Sequence, residues 1–313
     1  RFKDRENFWA TLWAVIFAIC QAKKFRERKP DVLHGVRATG PATAAAILSR
    51  LCGIPFTFGA HAYDIYRHSG DAFLKPKLHS ARFVHTTTAV AEKYLRERGG
   101  GAEIKIVLAR RGLESLPDKV SRATCYRAIA LLSVGRLVPK KGHVHQIAAC
   151  ALLKSWDVPF VARIIGDGPL RGELQQAIQH AGLQDCVTLC GATPPDAMDE
   201  AYYWADIFWH TGVVDAEGDR DGLPNVIPEA FAHSLPVIAS NLPGNLEAVA
   251  DGINGLVVDA TNAEQLAQAV KRLAEDSMLR KKLGANGLRW VEQNFLISRN
   301  AEILAGAFQS CVR

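Results

Sequence analysis

At 313 residues, with 48% hydrophobic and 22% charged positions, the chain is long enough for two ordinary domains with real cores, which excludes a disordered or low-complexity protein. Its seven cysteines are odd in number and scattered without a C-x-x-C pair, excluding a disulfide framework or zinc ribbon and pointing to thiols in a reducing compartment. The net charge of +6 is uneven: residues 1–120 hold 21 Lys and Arg against 11 Asp and Glu, the remainder 17 against 21. Only the front half is therefore built to face something anionic. No helix-turn-helix, zinc-finger or RNP pattern accompanies that charge, so nucleic acid is not expected as a partner and an anionic membrane surface or substrate is. A plain solvated face accounts for the excess equally well.

In chain order, FWATLWAVIFAIC (8–20) is apolar but only 13 residues long, too short to span a bilayer, and lies between charged RFKDREN and basic KKFRERK. No small-residue cleavage site follows it. It reads as one long helix, buried on its apolar side or lying on an interface. DVLHGV (31–36), PFTFGAH (55–61), ARFVHTTT (81–88) and IKIVLA (104–109) read as short strands. They alternate with helical stretches such as GPATAAAILSRLCG (40–53) and AVAEKYLRERG (89–99), so a parallel sheet of βαβ units is expected over residues 1–110. The polar stretch that follows, with Gly and Pro and little periodicity, is a linker over 111–127. Alternation restarts with IALLSVGRL (129–137), FVARIIGDG (160–168), VTLCG (187–191), DIFWHTG (206–212), PVIAS (236–240) and GLVVD (255–259), giving a second domain over 128–296. From Asn262 the sequence is mostly helical, with breaks expected at Gly287 and Ser298, and the last stretch, 297–313, is expected to pack back on the first domain. Two Rossmann-like domains joined by a hinge follow, with a ligand where strand C-termini face a cleft.

Several motifs fail. GDGPLRG (166–172) lacks the third glycine of a dinucleotide fingerprint, GRLVPKKG (135–142) lacks the Gly-Lys-Ser/Thr of a phosphate-binding P-loop, and no G-x-S-x-G exists. His143 and His145 form an H-x-H without a third ligand and read as solvated histidines at a helix start. Glu217, Asp219, Asp221 and Gly222 resemble the front of an EF-hand, yet the closing position is Pro228 and Glu229 falls one residue late. Asp219-Arg220-Asp221 is a D-x-D, too short a pattern to carry a manganese site, so no metal is assigned.

The acidic loop reads better as an anion and hydroxyl site. Gly222 leaves its N–H open, and a helix beginning near Asn225 presents free amides, with Pro228 costing nothing so close to its start. Asp221 and Glu229 can both accept bonds from paired hydroxyls; the plain alternative is that one caps a turn and the other favours the helix start. Arg136 follows a strand and Lys141 stands five residues later, two cations that suit a diphosphate. His61, in HAYD (61–64), follows an apolar strand, where a lone histidine is more often structural.

The ordered set HAYD, VGRLVPKKG, IIGDGPLRGEL, VTLCG, D-x7-E with EAFAHSLPVIAS, and PGNLEAVADGINGLVV resembles the family-4 retaining glycosyltransferases, over nearly the whole chain. GPATAAAILSRLCGIPFTFGAHAYDIY looks most like bacterial exopolysaccharide or colanic-acid-type sugar transferases. The resemblance implies a GT-B fold: two Rossmann-like domains with parallel sheets facing across a cleft. It implies a retaining, metal-independent hexosyltransferase that needs no cofactor. The donor is a nucleotide-diphosphate sugar and the acceptor a saccharide or lipid-linked acceptor, in the cytoplasm or at the inner face of the plasma membrane. By the same resemblance Gly135, Arg136 and Lys141 hold the diphosphate, Glu229 the ribose, and Gly191 lines the base pocket. Asp221 with the amides of Gly222, Leu223, Asn225 and Val226 holds the sugar, and His61 sits at the reacting centre. Two departures stand out. The first acid of the family's E-x7-E is Asp221 here, and the first domain, in a chain that starts at Arg1, is expected to be incomplete, lacking opening strands and a glycine-rich loop. A nucleotide-sugar-binding protein without turnover and a nucleotide-sugar epimerase are the competing functions, the latter fitting the acid pair and Lys141 poorly.

Overall fold

Short runs of β-branched and aromatic residues build two separate parallel sheets in the computed structural model, which describes residues 5–66, 73–101, 103–118 and 128–312. Residues Arg1–Gly112, Ala216–Gly222 and Ile297–Arg313 form one unit, Leu113–Asp215 and Leu223–Leu296 the other. Residues 119–127 of the expected linker lie outside the described residues.

The first unit opens with α1 (Arg5–Arg28) and continues β1 (Leu33–Gly35), α2 (Gly40–Cys52), β2 (Phe56–Gly59), α3 (Ala62–Tyr66), α4 (Leu74–Ser80), β3 (Val84–Thr86), α5 (Ala89–Gly99) and β4 (Ile106–Leu108). The strands lie in the order β1-β2-β3-β4, all parallel. α2 has Pro41 in its first turn, where a missing N–H costs nothing, and stops at Gly53 in the left-handed region (φ 72°). A side chain on Gly35 would put its Cβ 2.7 Å from the Ala42 backbone, so glycine here lets α2 lie directly on β1.

Of the two expectations for α1, burial of its bulky apolar side is not what the structure shows; that side is exposed. Its inward stripe is Ala14, Ala18 and Ala22, one turn apart and buried against α2, while Phe8, Trp9, Leu12, Trp13, Ile16, Phe17 and Ile19 are exposed. The cause is steric: Gly40 leaves only 3.1 Å between a hypothetical Cβ and the Ala10 carbonyl, a spacing that small residues allow and tryptophans do not. A final helix, α13 (Ile297–Val312), belongs to this unit, where Phe308 meets His34 and Phe83 edge-on and buried Asn300 accepts a 3.0 Å bond from the Arg110 amide.

The second unit carries β5 (Ile129–Val134), α6 (His143–Ser155), β6 (Phe160–Ile165), α7 (Arg171–His180), β7 (Val187–Gly191), α8 (Met198–Trp204), β8 (Ile207–His210), α9 (Val226–Ala232), β9 (Val237–Ser240), α10 (Pro243–Leu246), β10 (Gly255–Val258), α11 (Ala263–Glu275) and α12 (Ser277–Asn294). The strand order is β10-β9-β8-β5-β6-β7, with every pair parallel. Two hydrophobic layers cover the sheet, one with Leu131, Ile147, Leu153 and Val270, the other with Phe208, Ile227, Phe231 and Val291. Asn262 and Asp276 cap α11 and α12 through their side chains, which supplies the break between them. The break expected at Gly287 does not occur. α12 runs through it, because a Cβ there would lie 2.2 Å from the Phe231 ring, so the glycine serves helix packing. The expected break at Ser298 falls just before it, between Asn294 and Ile297.

Candidate functional site

From β5 the chain runs to β6 and β7 on one side, and from β8 to β9 and β10 on the other, so the order reverses between β5 and β8. Ligands of open α/β sheets bind beyond the strand C-termini at such a switch point. Arg136 and Lys141 lie in the loop leaving β5, and Leu223, Asn225, Val226 and Glu229 lie beyond β8, on α9 or just before it. The chain thus brings these two sets to neighbouring strand ends of one sheet.

Both loops are fixed by hydrogen bonds to backbone carbonyls. The Thr211 hydroxyl, just past β8, donates to the Lys141 and Gly142 carbonyls at 3.1 Å, and the Val213 amide donates to Lys140 O at 2.8 Å. On the other side the Leu137 amide donates to Asp167 O at 3.0 Å and the Gly135 amide to Ile165 O at 2.9 Å. No room remains for side chains: a Cβ would sit 2.0 Å from Thr211 O at Gly142 and 2.0 Å from Gly135 O at Gly166. Gly166 and Gly168 of GDGPLRG, the second 2.5 Å from Leu137 O by the same measure, therefore act as spacers against the Arg136 loop. The Lys141 stem lies over Gly135, its Cδ 3.4 Å from where a Cβ would be, while Arg136 is exposed. Gly191 ends β7 at φ 78° and accepts a 2.8 Å bond from the Gly166 amide.

Between these loops His143 is buried, not solvated as expected, because α6 starts against the sheet. Its Nδ1 meets Gln146 Oε1 at 3.0 Å, and burial keeps its pKa below the ordinary histidine value. His145 is half-buried and is likewise lowered by burial. Glu229 stands in the first turn of α9, a helix whose N-cap Asn225 makes no side-chain capping bond among the described residues. Its Oε2 accepts a 2.7 Å bond from the Tyr202 phenol.

His61 and Asp221 fall in the first unit, with Gly222. His61 follows β2 and is half-buried; its ring meets His85 edge-on at 5.7 Å, and its Nδ1 is buried with no hydrogen-bond partner among the described residues. Burial first, then the charges of His85, Arg111 and Arg37, lowers its pKa to about 4. The His61 carbonyl accepts from the Asp64 and Ile65 amides and so starts α3. Asp64, itself buried, accepts from the Ala38 amide at 3.3 Å, and Lys77 donates to Ala38 O and, at 3.0 Å, to the Thr43 hydroxyl. The β1–α2 turn and the His61 turn are thereby tied to one buried polar cluster. In the acidic loop, Arg220 places its guanidinium 4.8 Å from the centre of the Tyr66 ring. Among the described residues no three His, Cys, Asp or Glu side chains gather as a metal site, and no helix is long and apolar enough to cross a membrane.

The family model of the glycosyl transferases group 1 matches residues 127–290, more than half of the chain. The chain belongs to the glycosyl transferases group 1. A second model, of the glycosyl transferase 4-like domain, matches residues 3–112. Among curated relatives, the amylovoran biosynthesis glycosyltransferase AmsK of Erwinia amylovora is 35% identical over 174 residues, 55% of this chain and 42% of its own length. The putative colanic acid biosynthesis glycosyltransferase WcaL of Escherichia coli is 36% identical over 151 residues, 48% of this chain and 36% of its own. The chain thus spans less than half the length of either relative. HepE from Anabaena, solved in complex with UDP, superposes with a TM-score of 0.77 over 94% of this chain and 82% of its own, at 20% identity. The fold of this group 1 glycosyltransferase chain is GT-B, as expected.

Against this family background, the residues that the motifs missed are those behind the site. Tyr202, His233 and Asp199 support Glu229, and His34 and His85 surround the His61 turn. None stands in a spacing that announces chemistry; His233 alone offered a signal, four residues after Glu229 at the C-terminal cap of α9.

Proposed function

We propose that the chain carries a retaining hexosyltransferase that moves a sugar from a nucleotide-diphosphate donor to a lipid-linked or polysaccharide acceptor in cell-surface polysaccharide synthesis. The observation that carries this reading is the pairing, at one switch point, of a backbone-locked loop bearing Arg136 and Lys141 with the loop and helix bearing Glu229. Arg136 and Lys141, with the tight turn at Gly135, hold the donor diphosphate and stabilise its charge as it leaves; fixed cations lower the barrier because they need no reorganisation during the step. Glu229 takes the ribose hydroxyls, Gly191 lines the base, and the amides of Gly222, Leu223, Asn225 and Val226 with Asp221 take the sugar. His61, whose ring resists protonation, serves the sugar at the reacting centre as a neutral imidazole. HepE, bound to UDP in its crystal structure, supports a uridine-type donor as the first to try.

Configuration is retained by either of two routes. In one, the acceptor attacks the face that the diphosphate leaves and a phosphate oxygen takes its proton; in the other, displacement runs twice through Asp221. Trapping a glycosylated Asp221 with a slow donor distinguishes them. Binding needs no metal ion and no further cofactor in this reading, and the protein works in the cytoplasm at the inner face of the plasma membrane. The exposed Trp9, Trp13 and Phe17 of α1, followed by exposed Lys23, Lys24, Arg26, Arg28 and Lys29, suit peripheral contact with an anionic bilayer. Co-sedimentation with phosphatidylglycerol vesicles but not with phosphatidylcholine is the expected result.

The decisive experiment is a thermal-shift screen with UDP, GDP, ADP and TDP and their sugars, with and without manganese. Stabilisation by one nucleotide sugar without metal is expected, since a ligand bound only by the folded state raises its stability by mass action. No response to any of them would sink the assignment. Binding without sugar release, once an acceptor is supplied, would move the chain to the class of binding proteins.

A further inference from the structure

A carboxylate that recognises a diol must be aimed, and α9 alone does not aim Glu229. The helix has only seven residues and no side-chain cap, and Glu229 itself is half-buried at its start. What fixes the carboxylate comes from α8. Tyr202 is 1% exposed and donates its phenolic hydrogen to Glu229 Oε2 at 2.7 Å. Its ring has one place to lie, stacked at 4.8 Å on the His233 ring and 6.0 Å from Phe208. His233 in turn is held at both nitrogens: Nδ1 meets the Glu229 carbonyl at 2.8 Å and Nε2 meets Asp199 Oδ1 at 3.0 Å, while Tyr203 closes on its edge. Tyr202 therefore holds one oxygen of Glu229, braced by His233 at the end of α9 and by Asp199 and Tyr203 of α8, and among the described residues no hydrogen bond reaches the other, Oε1.

We infer that Tyr202 is a positioning residue, which with His233 and Asp199 behind it holds Glu229 by Oε2 so that Oε1 is presented to the vicinal hydroxyls of the donor's ribose. The inference rests on the assignment of Glu229 to the ribose. The phenol–carboxylate bond is charge-assisted, the stronger class of hydrogen bond, and it constrains the carboxylate plane as well as its position. Burial, together with the neighbouring Glu229 carboxylate, pushes the Tyr202 hydroxyl well above its usual range, so it remains a donor throughout the physiological range.

The test compares ribose with a sugar that lacks the diol. Dissociation constants of UDP and GDP, and of their 2′,3′-dideoxy forms, are measured by calorimetry on the wild type, Tyr202→Phe, Asp199→Asn, Glu229→Gln and the double variant Tyr202→Phe/Glu229→Gln. Tyr202→Phe keeps the ring and its packing and removes only the hydroxyl. It is expected to weaken the ribonucleotide about tenfold, to leave the dideoxy form unchanged, and to add nothing to Glu229→Gln in the double variant. Asp199→Asn, at an exposed position that tolerates change, is expected to shift the same ratio by about two- to threefold. A ribo-to-dideoxy ratio unchanged in both Tyr202→Phe and Asp199→Asn, while Glu229→Gln abolishes it, overturns the positioning role and leaves the ribose assignment standing. Equal weakening of both nucleotide forms by Tyr202→Phe also overturns it, since that is the mark of a purely structural residue. If Glu229→Gln leaves the ratio unchanged, or the wild type binds neither diphosphate, the ribose assignment itself fails and the positioning role with it.

Discussion

The two sheets end in different chemistry. Beyond the second unit's strands, cations sit on a loop bonded to its neighbours, where Gly142 and Gly166 have no room for a Cβ, and an acid stands in the first turn of α9. The first unit instead carries three histidines, His34 within β1, His61 just beyond β2 and His85 within β3, whose pKa values are lowered first by desolvation. The contrast teaches what each arrangement is good for. A locked loop can hold charges in one place against a charged ligand without paying for reorganisation, whereas buried imidazoles offer neutral donors and acceptors.

The most severe way to break the comparison is through the glycines. Gly142 and Gly53 share a left-handed backbone, φ 66° and 72°, but a Cβ meets Thr211 O at 2.0 Å at the first and nothing within 4 Å at the second. Gly142→Ala is expected to cost more than about 3 kcal/mol in urea unfolding, and Gly53→Ala about 1 kcal/mol, the bare conformational penalty. Equal costs would mean that the second unit's loops are not locked as described.

Next come the charges. Lys141→Ala and Glu229→Gln are expected to weaken nucleotide-sugar affinity about tenfold or more with the fold intact. His61→Ala should lower the rate of sugar release while leaving nucleoside diphosphate affinity nearly unchanged. Unchanged affinity in both second-unit variants removes the site assignment, and a large loss of affinity in His61→Ala erases the division of labour.

Smaller effects come from pH. For His34, His61 and His85 the folded pKa lies below the unfolded one, so stability is full above the ordinary histidine value near 6.5 and is lost as pH falls through the folded value, about 4 for His61. Asp64 acts in the opposite sense: burial raises its carboxyl, which favours the folded state as the acid range is entered and offsets part of the loss. Protection against hydrogen exchange, corrected for the intrinsic rate at each pH, should therefore fall between pH 6.5 and 4 more at β2 and α2 than at β5 and β6, where His143 is the buried counterpart. His61→Gln should flatten that dependence. An equal fall in both units would remove the histidine argument.

The smallest effects belong to surface pairs. Lys271 and Glu275 on α11 form an exposed pair one turn apart, and Lys271→Ala is expected to cost less than about 0.5 kcal/mol. Arg96 on α5 pairs with Glu92 at 2.7 Å and also donates to Ile104 O at 3.2 Å, so Arg96→Ala should cost more in thermal unfolding. A larger loss from Lys271→Ala would reverse that order.

Local pattern by itself determined a great deal of this protein. Short apolar runs alternating with helical stretches marked the strands: VTLCG is β7 residue for residue, and the rest shift by one to three residues at their ends. Alternation with helices fixed the parallel sheets, since parallel strands need a crossover. The candidate cations and acids were legible because charge beside glycine, at the exit of an apolar strand, has few structural reasons to exist. What only the tertiary structure decided was everything set by distance between segments far apart in sequence. Residues Ala216–Gly222 lie inside the second half of the chain yet group with the first unit, which no local periodicity encodes. Gly287 reads as a helix break until the Phe231 ring fills the space where its side chain would be. α1 reads as a helix whose apolar side is either buried or lies on an interface, and close approach to α2 decides that its alanines are what is buried. Tyr202 meets Glu229 across 27 residues, and Asp199 meets His233 across 34, contacts made by packing two helices that follow different strands. A sequence displays which residues can do chemistry; which of them are held still enough to do it depends on what the fold places behind them.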